Sequence, residues 1–131
     1  MPTLGFGQFV DDFSDGDFTA NPAWGGDVSN FEVDINQQLH LNAPPQSDTS
    51  YLSVASGAID DATWEFFVSY EFNPSSSNLA RIYLVSNNSD LTANLNGYYV
   101  RVGGETEDRI SIYRQDGSSS TQLITSVDGL V

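Results

Sequence analysis

Between Ala62 and Tyr113 the chain alternates apolar and polar positions almost residue by residue. In 62–72, Trp64, Phe66, Val68, Tyr70 and Phe72 take one parity, and Thr63, Glu65, Phe67, Ser69 and Glu71 take the other. Side chains alternate across a strand with period 2, so this pattern predicts a half-buried sheet and no helix. The split recurs in 79–85, 98–102 and 110–114. Ile82 and Leu84 oppose Arg81 and Tyr83; Tyr98, Val100 and Val102 oppose Tyr99 and Arg101; Ile110 and Ile112 oppose Ser111 and Tyr113. One face of the predicted sheet is a core. The other is polar and aromatic, and carries Glu65, Phe67, Arg81, Tyr83, Tyr99, Arg101 and Tyr113.

Short strands and turn chemistry fill the rest. A strand is predicted over 9–13, left through Asp15-Gly16-Asp17, and 21–27 around Trp24 reads as a loop. Segments 31–35 and 38–42 alternate around Asn36-Gln37, which predicts a hairpin. A short strand follows at 51–55, then a turn over 57–61. Residues 73–78 are too polar to pack, and 86–96 is irregular with one helical turn expected at 89–93. Hairpin loops are expected at 103–108 and 115–120, and a last strand at 122–127. Many short strands with Gly, Pro, Asn, Asp and Ser turns predict an all-β, antiparallel two-sheet sandwich or jelly roll, a single domain over 9–131. Residues 1–8 are small and uncharged, and read equally as the tail of a secretory signal peptide, a plain N-terminal strand or the start of an expressed fragment.

Charge narrows the partners. Eighteen acidic residues face four arginines and no lysine, giving a formal net charge of −14 over 131 residues. Such a chain repels phosphate backbones and anionic lipid, so neither nucleic acid nor a membrane surface is an expected partner. No apolar run approaches the roughly 20 residues that span a bilayer. There is no cysteine, hence no disulfide and no thiolate chemistry.

The run Gly97-Tyr98-Tyr99-Val100-Arg101-Val102, followed by Arg109-Ile110-Ser111-Ile112-Tyr113-Arg114-Gln115-Asp116-Gly117, resembles the laminin-G-like, concanavalin A-like jelly rolls of secreted bacterial proteins. Ala80-Arg81-Ile82-Tyr83-Leu84-Val85 looks like the strand that precedes these in such modules, and the opening Asp11-Asp12-Phe13-Ser14-Asp15-Gly16-Asp17 is similar to the way they begin. The resemblance implies a secreted or cell-surface location, a glycan or cell-surface polysaccharide as partner, and a structural calcium. Modules of this kind use further strands to complete both sheets. The chain therefore reads as incomplete at its C-terminus, with a sheet edge or apolar face open to another domain or chain.

Catalysis finds little footing in the residues. Glu65 and Glu71 share a face, but six residues of strand separate them by about 20 Å, where a glycosidase needs its carboxyl pair roughly 5–10 Å apart. A glucanase pattern of acids two residues apart is missing, since Phe67 stands two after Glu65. The single histidine, His40, lies between Leu39 and Leu41 and reads as a solvated strand residue. The polar face has two readings. Aromatic rings and arginine forks suit a concave glycan platform, whereas Glu65, Arg81 and Arg101 could equally be cross-strand ion pairs on an exposed sheet. Asp12, Asp15 and Asp17, with Asp11, offer hard oxygen ligands around Gly16 that suit calcium. They lack the EF-hand glutamate and read also as ordinary turn aspartates. The expectation is a non-catalytic glycan-binding or adhesion module, with a structural spacer or assembly domain as the alternative and a glycoside hydrolase relative third.

Overall fold

The structure is a computed structural model and describes residues 9–104 and 108–131. It is all-β, with eight short strands and one turn of 3-10 helix among the described residues. Two compact units are distinguished: one runs through Ala62 and includes Ser89–Thr92, the other comprises Thr63–Asn88 and Ala93–Val131.

The first unit holds two small antiparallel pairs. Strand β1 (Gly25–Gly26) pairs with β4 (Leu52–Ser53), and β2 (Phe31–Val33) with β3 (Leu39–Leu41). The β2–β3 hairpin closes where the sequence predicts, around Asn36-Gln37. The Asp34 carboxylate accepts the backbone N–H groups of Asn36 at 2.8 Å and Gln38 at 2.9 Å. Gln37 takes a left-handed φ of 61° at the tip, a backbone state that turn residues with short polar neighbours adopt. The strand expected over 9–13 does not form, because its residues are drawn into side-chain turns. Asp11 and Asp12 accept the N–H groups of Phe13 and Ser14 at 3.0 Å each, which replaces a ladder with local bonds.

The second unit is a four-stranded antiparallel sheet in the order β5 (Ala80–Ser86), β6 (Leu95–Val102), β7 (Ile110–Gly117), β8 (Ser119–Thr125). These are the four alternating segments of the sequence less 62–72, plus the C-terminal strand. Gly97 shows how tightly β5 and β6 approach: a Cβ there would collide with the backbone carbonyl oxygen of Val85. Only glycine fits that position.

The 62–72 stretch departs from expectation. It carries no helix, turn or bend through Tyr70, yet among the described residues it joins no sheet. Periodicity reports which side chains face which way, and it does not supply a neighbour to pair with. The segment is instead tied to the sheet by one side chain. The Tyr70 hydroxyl donates to the Val102 carbonyl at 2.8 Å and accepts the Ala80 N–H at 2.7 Å. Phe66, Phe67, Tyr70 and Phe72, with Val100, Val102 and Ile110 of the sheet and Leu130 and Val131, line a groove of about 630 Å³.

The assignment of core and surface is also revised. Val100 and Val102 are buried as expected, but Tyr98 of the same parity is 42% exposed, while Tyr99 is only 2% and Tyr113 only 9% exposed. The polar-aromatic face is therefore largely closed. Its burial is accompanied by hydrogen bonds between the Tyr83, Tyr113 and Ser111 hydroxyls and side chains of the same face.

Candidate functional site

That face is built by register. Arg81 pairs with Arg101, and Tyr83 with Tyr99, across β5 and β6. Tyr99 then pairs with Tyr113, and Arg101 with Ser111, across β6 and β7. Tyr113 and Ser111 continue to Gln122 and Thr125 of β8. The result is one row of tyrosines beside one row headed by arginines. The rings stand 5.1 Å apart from Tyr83 to Tyr99 and 5.2 Å from Tyr99 to Tyr113, the latter pair nearly parallel at 6°. Each guanidinium lies diagonally over the ring of the next strand, Arg81 over Tyr99 at 5.2 Å and Arg101 over Tyr113 at 4.8 Å. Both distances lie within the range of cation–π attraction, and a planar guanidinium also stacks on a ring.

Hydrogen bonds hold the rings' edges. The Tyr83 hydroxyl donates to Gln115 at 2.6 Å, the Tyr113 hydroxyl to Gln122 at 2.8 Å, and the Ser111 and Thr125 hydroxyls bond at 2.8 Å. Burial raises the Tyr83 phenol above its ordinary range, with Arg81 pulling the other way.

The sequence-predicted residues are thus only partly brought together. Arg81, Tyr83, Tyr99, Arg101 and Tyr113 form one continuous patch. Phe67 does not join it: it lines the groove with Val100 and Val102, on the opposite side of the sheet from Tyr99 and Arg101. Glu65 lies on the same unpaired stretch as Phe67, outside any strand and exposed. The Glu65–Arg81–Arg101 cross-strand network is accordingly not built, since Arg81 and Arg101 face each other directly. Gln115 and Gln122, which lock the tyrosine hydroxyls, were not singled out from sequence. Their signal was parity alone, two and nine residues beyond Tyr113.

The remaining arginines are occupied on other parts of the surface. Arg109 meets Asp128 at 2.7 Å and Arg114 meets Asp116 at 2.8 Å. Three of the four arginines and only one acid lie within β5–β8, so the sheet is cationic inside a strongly anionic chain.

The aspartate turn satisfies itself. Asp15 accepts the N–H of Asp17 at 3.1 Å, and Asp17 accepts both the N–H and the hydroxyl of Thr19 at 2.8 Å. Asp12 and Asp17 are held below the ordinary carboxylate range by bonds from Ser14 and Thr19. The other Asp11 oxygen accepts the Trp24 indole N–H at 2.8 Å, with the Phe9 and Phe13 rings beside the indole. Trp24 is thereby fixed against its own unit rather than offered as a binding tip. Among the described residues no three His, Asp or Glu side chains converge as metal ligands. His40 sits opposite Glu32 in the β2–β3 hairpin, 3.5 Å from its carboxylate and half exposed. Among the described residues no helix is long and apolar enough to cross a membrane.

Comparison with protein-family models, with curated proteins and with solved structures finds no match for this chain.

Proposed function

We propose that this chain is a non-catalytic glycan-binding or adhesion module of a secreted or cell-surface bacterial protein, built as a laminin-G-like or concanavalin A-like sandwich. The observation that carries the reading is the arginine-capped tyrosine ladder: Arg81 over Tyr99 and Arg101 over Tyr113, in register across three strands. A chain with four cations sets two of them opposite each other, although like charges directly across a ladder are destabilising. The rings under the two guanidiniums offset part of that cost, and ligand hydroxyls on the forks add to that offset. Tyr99 and Tyr113 already have rings and guanidiniums on their faces, so recognition rests on the arginine forks and the half-buried Tyr83 rather than on open stacking platforms. Sugar hydroxyls suit such forks.

The test is a glycan array probed with the purified chain, with calcium and with chelator, beside Arg81→Ala and Arg101→Ala. Binding lost in either folded variant supports the site. Silence of the folded wild type across a broad array removes the reading. Chelator sensitivity would support calcium at Asp12, Asp15 and Asp17.

A second reading, an assembly domain without a small ligand, is favoured by the apolar groove. Phe66, Phe67, Phe72 and Leu130 all line it and remain exposed. Exposed apolar surface of this kind marks interaction sites in folded proteins.

A further inference from the structure

The groove and residues 63–72 beside it belong to the same unit and pose one problem together. Residues 62–70 have the side-chain alternation of a strand, run without bend or turn, and sit in no ladder. Among the described residues no backbone hydrogen bond joins 62–72 to the rest of the chain. Among the described residues its hydrogen-bonded tether is the Tyr70 hydroxyl. Among the described residues the backbone groups of 62–72 thus lack a ladder partner, and an unpaired strand beside an apolar floor is the arrangement that strand addition uses: backbone bonds give the affinity, and alternate side chains fill the pockets.

Charge selects the occupant. The floor and walls of the groove carry no charged side chain. Asp60, Asp61, Glu65 and Glu71 are the only charged residues from 60 to 72. A second copy is a poor fit, because antiparallel self-pairing centred on Val68 sets Glu65 opposite Glu71 between two chains of −14 each. A cationic strand with apolar residues at every second position satisfies both the acids and the groove.

We infer that 62–72 is a docking edge for a strand of another polypeptide, alternating in apolar residues and carrying basic residues that meet Glu65 and Glu71. Phe66, Val68 and Tyr70 then face the partner's apolar side chains, and the partner's backbone supplies the missing ladder.

The full chain is titrated by fluorescence anisotropy with a labelled peptide of sequence Lys-Val-Thr-Val-Thr-Val-Lys, whose lysine spacing equals that of Glu65 and Glu71. Three comparisons accompany it: the peptide with alternate backbone nitrogens methylated, the peptide with glutamate for lysine, and the double variant Glu65→Gln, Glu71→Gln. The expected result is saturable binding that methylation abolishes, and that loss of either charge set weakens about 2- to 30-fold, since each of the two exposed cross-strand charge pairs contributes about 0.2–1 kcal/mol. Equal binding of the methylated peptide overturns the strand-addition geometry. Equal binding of the glutamate peptide overturns the charge assignment. No binding of the lysine peptide to the folded chain, or self-association through 62–72 in sedimentation, overturns the proposal as a whole.

Discussion

Replacing Tyr99 by leucine removes the centre of the ladder while keeping an apolar side chain in place. Tyr99 belongs to two ring pairs and lies under Arg81. Each ring pair is worth about 0.5–1.5 kcal/mol beyond burial, and a partly exposed cation–π contact about 0.5–1 kcal/mol. Tyr99→Leu should therefore cost about 1.5–4 kcal/mol. Tyr113→Leu loses one ring pair, the Arg101 contact and the hydrogen bond to Gln122. A hydrogen bond contributes about 0.5–1.5 kcal/mol net, which places this variant in the same range. The two changes share one interaction, the parallel Tyr99–Tyr113 stack. The double variant should thus lose less than the sum of the singles, by about 0.5–1.5 kcal/mol. Urea unfolding followed by far-ultraviolet circular dichroism measures all four corners of the cycle. An excluded osmolyte keeps the double variant folded if it is too weak in buffer. Additivity within about 0.3 kcal/mol would mean the rings do not support one another, and would refute the ladder as an energetic unit.

Other consequences follow from the same coordinates. Gly97→Ala drives a methyl group into the Val85 carbonyl, and thermal melts should show a loss of about 1–3 kcal/mol or more; an unchanged melt contradicts the close β5–β6 approach. Asp34 is held below its ordinary carboxylate range of about 3.8 by the Gln38 N–H first and the Asn36 groups after it. The stability it lends is complete above 3.8 and is lost as pH falls through the lowered value. The amide shifts of Asn36 and Gln38 should titrate with a midpoint below 3.8, and a midpoint at or above it counts against the turn. Tyr83 and Tyr70 are raised by burial, so their neutral forms support the fold fully up to the ordinary phenol value of 10.0, and this support fades as pH climbs through the raised values. Tyr51 is raised as well, by burial and then by Asp90 and Asp27, so ultraviolet titration should show phenols still ionising above 10.0.

Much of the second unit was legible because its strands obey local rules. Parity and turn residues located β5, β6 and β7 to within a few residues, and Asn36-Gln37 announced its hairpin. Two things were not legible. The alternation of 62–72 is stronger than that of any strand that formed, yet pairing depends on a neighbour that no local pattern encodes. The closed face was hidden for a different reason. Parity separates Tyr98 from Tyr99 but does not say which side is buried when both sides carry aromatics, and the cross-strand register decides that. Arg81 and Arg101 were picked out on parity, while their mutual pairing and their seats on Tyr99 and Tyr113 appear only once the strands are aligned. Composition marked the aspartate turn both as a calcium candidate and as ordinary turn residues, and only the structure shows which oxygens accept the nearby backbone N–H groups and the Trp24 indole.

The central claim is that ligand binds at the forks of Arg81 and Arg101. Four arginines give four Nε–Hε resonances, so a nitrogen–proton NMR titration with a glycan that binds on the array reports on each. Arg81 and Arg101 should shift in proportion to occupancy, while Arg109 and Arg114, held by Asp128 and Asp116, stay in place. A bound glycan that leaves Arg81 and Arg101 unmoved, or that moves Arg109 or Arg114 instead, would contradict the account.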